Sequence, residues 1–136
     1  MKRFCGTLLL AISVLTLPAM PVQAQRARFT DATAAQLMRA EILLVDLRAP
    51  LDWQQAGVIP GALLLGPLPT DALANALASH LATGRAADRP IVLLCQEGWR
   101  SAREARALAP LLGRDVLSVN GGMNRLVAEG FAPDLP

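Results

Sequence analysis

The chain has 136 residues, 53% of them hydrophobic and 18% charged, with a formal net charge of +2. Part of that charge comes from Lys2 and Arg3, and the remaining basic residues are interleaved with acidic ones. This excludes the basic footprint of a nucleic-acid or anionic-membrane binder.

In chain order, Met1-Lys2-Arg3, the apolar run Leu8 to Leu17, the breakers Pro18 and Pro21, and Val22-Gln23-Ala24 follow the plan of a secretory signal peptide. Cleavage is expected between Ala24 and Gln25, giving a signal peptide over 1–24 and a periplasmic product over 25–136. The alternative, a retained anchor, needs roughly 20 apolar residues, and this run is shorter and broken by proline. What remains, roughly 110 residues, is the size of one domain. Thr30-Asp31 reads as a helix start, with Ala34, Ala35, Leu37 and Met38 as a short amphipathic stretch. Ile42 to Val45 reads as a strand buried on both faces, with Asp46 to Arg48 at its carboxyl end. A short helix, Leu51 to Ala56, closes at Gly57, and Ile59-Pro60-Gly61 turns into a strand, Ala62 to Leu65.

After Pro67 and Pro69, Thr70-Asp71 is expected to cap a helix carrying Leu73, Ala76, Leu77 and Leu81. Pro90 introduces the strongest strand, Ile91 to Leu94; a helix from Ser101 to about Leu112 and a strand from Val116 to Val119 follow. Gly121-Gly122 opens a last helix ending near Gly130. This alternation predicts an α/β fold with a largely parallel central sheet of about five strands and helices on both faces. His80, the only histidine, falls in the middle helix and is expected to be a solvated residue, not a catalytic base.

Cys5 lies within the expected signal, so the mature chain holds only Cys95. No internal disulfide is then available, and a lone thiol in an oxidising compartment is either a small core residue or a reactive group. Its setting favours the second. Cys95-Gln96-Glu97-Gly98-Trp99-Arg100-Ser101 follows a buried strand and precedes a helix, at the sheet edge where open α/β domains bind ligands. A loop entering a helix there can turn several N–H groups inward, favouring a thiolate, a bound anion or a persulfide sulfur. Gly98 gives the backbone freedom for that curl, and Arg100 and Arg103 add cationic groups near the mouth.

This segment resembles the active-site loop of rhodanese-like domains. Val45-Asp46-Leu47-Arg48, with Asp52-Trp53 and Gly57-Val58-Ile59-Pro60-Gly61-Ala62, is similar to the family's first signature. Val119-Asn120-Gly121-Gly122 with Gly130-Phe131-Ala132-Pro133 is similar to its closing one, so the likeness spans Phe29 to Pro133. Val58 stands where histidine is frequent, and Met123 and Leu126 replace aromatic residues; these are expected to be packing positions.

The resemblance implies a sulfurtransferase that moves a sulfane sulfur from a donor such as thiosulfate to a thiophilic acceptor through a Cys95 persulfide. It implies no metal or organic cofactor. The partners are a small sulfur donor and a thiol or cyanide-like acceptor, with a protein acceptor as an option. Cys95 would be the nucleophile and Arg100 would orient an anionic donor or acceptor. Gln96, Glu97, Gly98, Trp99 and Ser101 would form the substrate-binding loop, with Trp99 as an acceptor-recognising rim. Arg48 is a candidate substrate contact or one half of an ion pair with Asp52, and Trp53 is expected in the core. Glu97 is expected to point outward, because only the backbone need face the sulfur; pointing inward, it would oppose thiosulfate.

Three rivals remain. Cysteine-based phosphatases and arsenate reductases carry Cys-x5-Arg, whereas Cys95 to Arg100 is Cys-x4-Arg, a tighter ring suited to one sulfur atom. A rhodanese fold used as a sulfur-binding or partner-binding module without turnover is the second. A redox protein, the third, lacks a resolving cysteine.

Overall fold

The computed structural model describes residues 24–83 and 87–136; the expected signal segment, apart from Ala24, lies outside the described residues. Five strands form one sheet: β1 (Ala27–Thr30), β2 (Leu43–Asp46), β3 (Leu63–Leu64), β4 (Ile91–Leu94) and β5 (Val116–Val119). Their order is β1-β5-β4-β2-β3 and every pairing in the sheet is parallel. The helices are α1 (Ala34–Leu37), α2 (Pro50–Ala56), α3 (Thr70–Leu81), α4 (Trp99–Leu112) and α5 (Gly122–Ala128).

The continuous apolar runs of β2 and β4 are buried at every residue, because both faces of the sheet are covered. Leu43, Val45, Ile91, Leu93 and Val116 point to one face, where Leu73 and Leu77 of α3 and Ala105, Leu108 and Ala109 of α4 pack on them. Leu44, Val92, Leu94 and Val119 point to the other, against Leu37 of α1 and Met123 and Leu126 of α5. Met123 and Leu126 are thus packing residues.

Several local expectations are corrected. Thr30 ends β1, an exposed edge strand whose Ala-Arg-Phe-Thr sequence has no core-facing signal; its ladder partner β5 supplies the order. The first helix is capped instead by Thr33, whose hydroxyl accepts the Gln36 N–H at 3.3 Å while Gln36 returns a contact to the Thr33 N–H at 2.9 Å. Thr70 lies inside α3, with Pro69 at the cap, and its hydroxyl donates to Glu104 at 2.8 Å. Trp53 is half-buried, since α2 has no fully buried residue, and its ring lies against Gly66.

Chain direction across the sheet reverses between β2 and β4. From β2 the chain moves outward to β3; from β4 it moves the opposite way to β5. The loops leaving these neighbours therefore diverge, and a crevice opens at their carboxyl ends.

Candidate active site

The crevice is a hollow of about 330 Å³ lined by Leu47, Arg48, Ala49, Asp52 and Pro67 on the β2 side and by Cys95, Gln96, Glu97, Trp99 and Arg100 on the β4 side. Cys95 is a free thiol with 4% exposure, at its floor. The Gly98 N–H reaches its Sγ at 3.1 Å and the Ser101 N–H at 3.4 Å. The Ser101 hydroxyl is also 3.4 Å from Sγ.

This geometry depends on how α4 begins. Gly98 is its N-cap with φ of 91°, a left-handed conformation that glycine adopts without strain. A Cβ there would also press on the Gly121 amide nitrogen at 2.9 Å. The opening amides of a helix have no acceptor within it, so the turn leaves the Ser101 N–H free to meet the sulfur. Beneath the sulfur, Ser101 and Ser118 are both buried, with the Ser118 hydroxyl 2.8 Å from that of Ser101.

A second helix start holds the loop from the other side. The Met123 and Asn124 amides of α5 donate to the carbonyls of Cys95 and Gln96, at 2.9 and 3.0 Å. The Gln96 side chain adds a bond to Asn124.

The two arginines of the hollow are largely occupied. Arg48 is buried and forks onto Asp46, at 3.1 Å from Nε and 2.8 Å from Nη2, while Nη2 also donates to the Gly57 carbonyl. Its carboxylate partner is Asp46, not Asp52, because Asp52 turns back to accept the Ala49 N–H at the start of α2. The Nη1 of Arg48 is buried without a partner. Arg100 bridges the hollow's walls, donating to the carbonyls of Leu47 at 3.3 Å and Leu68 at 3.2 Å. Its Nε is likewise buried and unpartnered.

Other residues fall at the rim or away from it. Trp99 is 81% exposed and Glu97 is exposed, with no hydrogen bond to the loop amides. Arg103 does not line the hollow: its guanidinium pairs with the buried carboxylate of Glu104. His80 also lies outside the hollow's lining, near the end of α3. Among the described residues, no group of three or more His, Cys, Asp or Glu side chains could hold a metal ion.

Sequence reasoning did not assign Leu47, Ala49, Asp52 and Pro67 to the lining or Ser118 to the layer beneath it. For Ser118 the signal was available, since it shares the core-facing side of β5 with Val116, where a hydroxyl needs a buried partner.

The model of the rhodanese-like domain family matches residues 30–129 of the chain. The thiosulfate sulfurtransferase GlpE of Pseudoalteromonas translucida is 32% identical over 90 residues, covering 66% of this chain and 77% of that protein. Among solved structures, a rhodanese-related protein from Thermoplasma volcanium aligns with a TM-score of 0.57 at 23% identity, over 78% of this chain and 98% of its own. A protein of unknown function from Rhodopseudomonas palustris, described as a possible tyrosine phosphatase, gives 0.56 at 21% identity over 75% and 82%. At such identities the two structures speak for the fold alone.

Proposed function

Because this chain belongs to the rhodanese-like domain family, we propose that it is a sulfurtransferase that carries a sulfane sulfur as a persulfide on Cys95, with thiosulfate as a competent donor. The observation that carries this reading is the convergence of the Gly98 and Ser101 amides on Cys95 Sγ at the floor of an open hollow.

In the first half-reaction the Cys95 thiolate attacks the sulfane sulfur of the donor. A new S–S bond forms to Sγ, the donor's own S–S bond breaks, and sulfite departs from thiosulfate with the electron pair. The outer sulfur then occupies the hollow. The amides of Trp99 and Arg100, in the first turn of α4, have no acceptor within the helix and are available to it. In the second half-reaction a cyanide or thiolate acceptor bonds to the outer sulfur, and the Sγ–S pair returns to Cys95. The Gly98 and Ser101 donors then meet the restored charge. The exposure of Trp99 at the rim supports a role in recognising the acceptor, including one on another protein. The leading segment 1–24 supports export, so this chemistry would take place in the periplasm.

Arg100 supports sulfur over phosphate. Phosphoryl transfer needs a guanidinium free to turn and fork onto phosphate oxygens; here Nη1 and Nη2 each give one hydrogen to a wall carbonyl, Leu47 or Leu68, which ties the group to the walls. Its role is to hold the walls of the hollow and orient a small anion by charge.

Mass spectrometry of the mature protein after thiosulfate treatment tests the proposal. We expect one added sulfur on Cys95, removed by cyanide, and none on Cys95→Ser. No adduct with any sulfane donor would leave a binding module; aryl phosphate hydrolysis dependent on Cys95 would point to a phosphatase.

A further inference from the structure

Beneath Cys95 lies a chain of three buried groups. Ser101 Oγ is 3.4 Å from Cys95 Sγ, 3.1 Å from the Gly98 carbonyl oxygen and 2.8 Å from Ser118 Oγ. Ser101 is fully buried, Ser118 is 1% exposed and Cys95 4%, so no bulk water competes for these contacts.

The Ser101 hydroxyl has a single hydrogen and three neighbours. A carbonyl oxygen only accepts, and an anionic sulfur only accepts, so that hydrogen serves either Gly98 or Cys95. The contact between the two hydroxyls must then be supplied with the hydrogen of Ser118. We propose that Ser118 is a positioning residue for sulfur transfer. By donating to Ser101 Oγ, it leaves the Ser101 hydrogen to turn towards Sγ when the sulfur is anionic and towards the Gly98 carbonyl when the sulfur is bonded to a second sulfur.

The consequence lies in the energetics of discharge. As the acceptor takes the outer sulfur, the electron pair of the breaking S–S bond arrives on Sγ. A hydroxyl already polarised by its own donor makes a stronger hydrogen bond to that charge. Ser118 touches neither donor nor acceptor. It acts through Ser101 from the core-facing side of β5, whose pairing with β4 places position 118 beside Leu93, two residues before the nucleophile.

This inference rests on the reading of Cys95 as the sulfur carrier, and its test is chosen to report on the sulfur without sulfur transfer. The pH profile of Cys95 alkylation by iodoacetamide is measured for the full mature chain and for Ser101→Ala, Ser118→Ala, the double variant and Ser118→Thr, with melting temperatures for each. Ser118→Ala is expected to slow alkylation near neutral pH roughly 2- to 10-fold, the range for one hydrogen bond, and to move the profile to higher pH. In the Ser101→Ala background it should add nothing, and Ser118→Thr, which keeps the hydroxyl, should restore the profile. An equal effect of Ser118→Ala in both backgrounds, which would mark simple loosening of the strand, overturns the proposal, as does an unchanged profile. If the alkylation cycle holds but Cys95 never gains a sulfur, it is the transferase reading that falls.

Discussion

The N–H of Met123 donates to the carbonyl oxygen of Cys95 at 2.9 Å, so helix α5 is seated directly on the backbone of Cys95. Gly122 makes this approach possible. Its φ is 58°, and a Cβ there would overlap the Cys95 carbonyl oxygen and lie 2.7 Å from the Gln96 carbonyl carbon. Both obstacles are backbone and cannot rotate away.

Gly122→Ala is therefore expected to do more harm than the same change at Gly113. Gly113, with φ of 64° and open space around its Cβ position, pays only for the left-handed conformation, about 1–2 kcal/mol. Gly122→Ala should lose at least about 2–3 kcal/mol and, by shifting the loop, reduce sulfur transfer at least about tenfold. Urea denaturation and a thiosulfate assay on both variants check this; similar losses at the two sites would show that the α5 contact does not hold the loop.

A second expectation concerns the pair beneath the β2 wall. Asp46 and Arg48 have side chains 0% and 1% exposed, so removing either leaves a charge buried without its partner. Arg48→Ala should lose about 3–5 kcal/mol, a large share of the stability of a domain this size. Replacing both residues, as in Asp46→Leu with Arg48→Met, should lose less than Arg48→Ala alone. Denaturation curves for the wild type, Arg48→Ala and the double variant decide this, and a double variant that loses as much as Arg48→Ala or more would contradict it.

Much of this architecture is legible in the chain. The runs Ile91 to Leu94 and Val116 to Val119 are strands at those bounds; the first is apolar throughout because it is covered on both faces, and the second admits one buried hydroxyl, Ser118, that has a partner. The turn after Cys95 lies where a strand passing into a helix puts it, although α4 opens at Trp99 and not at Ser101, because the left-handed Gly98 is already its cap. Illegible were the features decided by partners distant in sequence. β1 is a strand because β5 offers a ladder, not through its own composition. Arg48 has two carboxylates close in sequence, and only the turn of α2, which gives Asp52 the Ala49 N–H, leaves Asp46 for the arginine. Arg100 reads as a cation aimed at an anion until the Leu47 and Leu68 carbonyls are seen to converge on it.

The β1 edge should come loose in acid. Asp115 accepts the Arg26 N–H at 2.9 Å and pairs with the Arg28 guanidinium at 2.6 Å, tying the start of β1 to β5. The Arg26 amide, followed by the Arg28 charge, holds its carboxyl below the ordinary value of 3.8. A carboxyl depressed by folding contributes stability that is full above its unfolded value and is lost as pH falls through the folded one. Amide exchange across Ala27–Thr30 should therefore begin to quicken as pH falls below 3.8, and only modestly because the pair is exposed. Asp115→Asn keeps an acceptor for the Arg26 N–H but cannot titrate, so its protection should not change with pH in this range; an acid-induced loss in that variant would mean that another group loosens the edge.

On the sulfurtransferase proposal, Glu97 should govern how well an anionic donor reaches the sulfur. Its carboxylate is exposed on the lining of the hollow and takes no hydrogen bond from the loop, so it acts on thiosulfate through charge across solvent. Exposed charges interact by about 0.2–1 kcal/mol, and thiosulfate carries two negative charges. Glu97→Gln is thus expected to lower the KM for thiosulfate roughly 2- to 5-fold at low salt, with kcat little changed. At about 1 M salt, where the screening length falls to about 3 Å, the gain should disappear. Cys95 alkylation by uncharged iodoacetamide should respond less, because the carboxylate then acts on the thiolate alone and not on the incoming reagent. A salt-independent gain would instead mean that the carboxylate touches the donor, and an unchanged KM at low salt would show that the Glu97 charge does not affect the donor's approach.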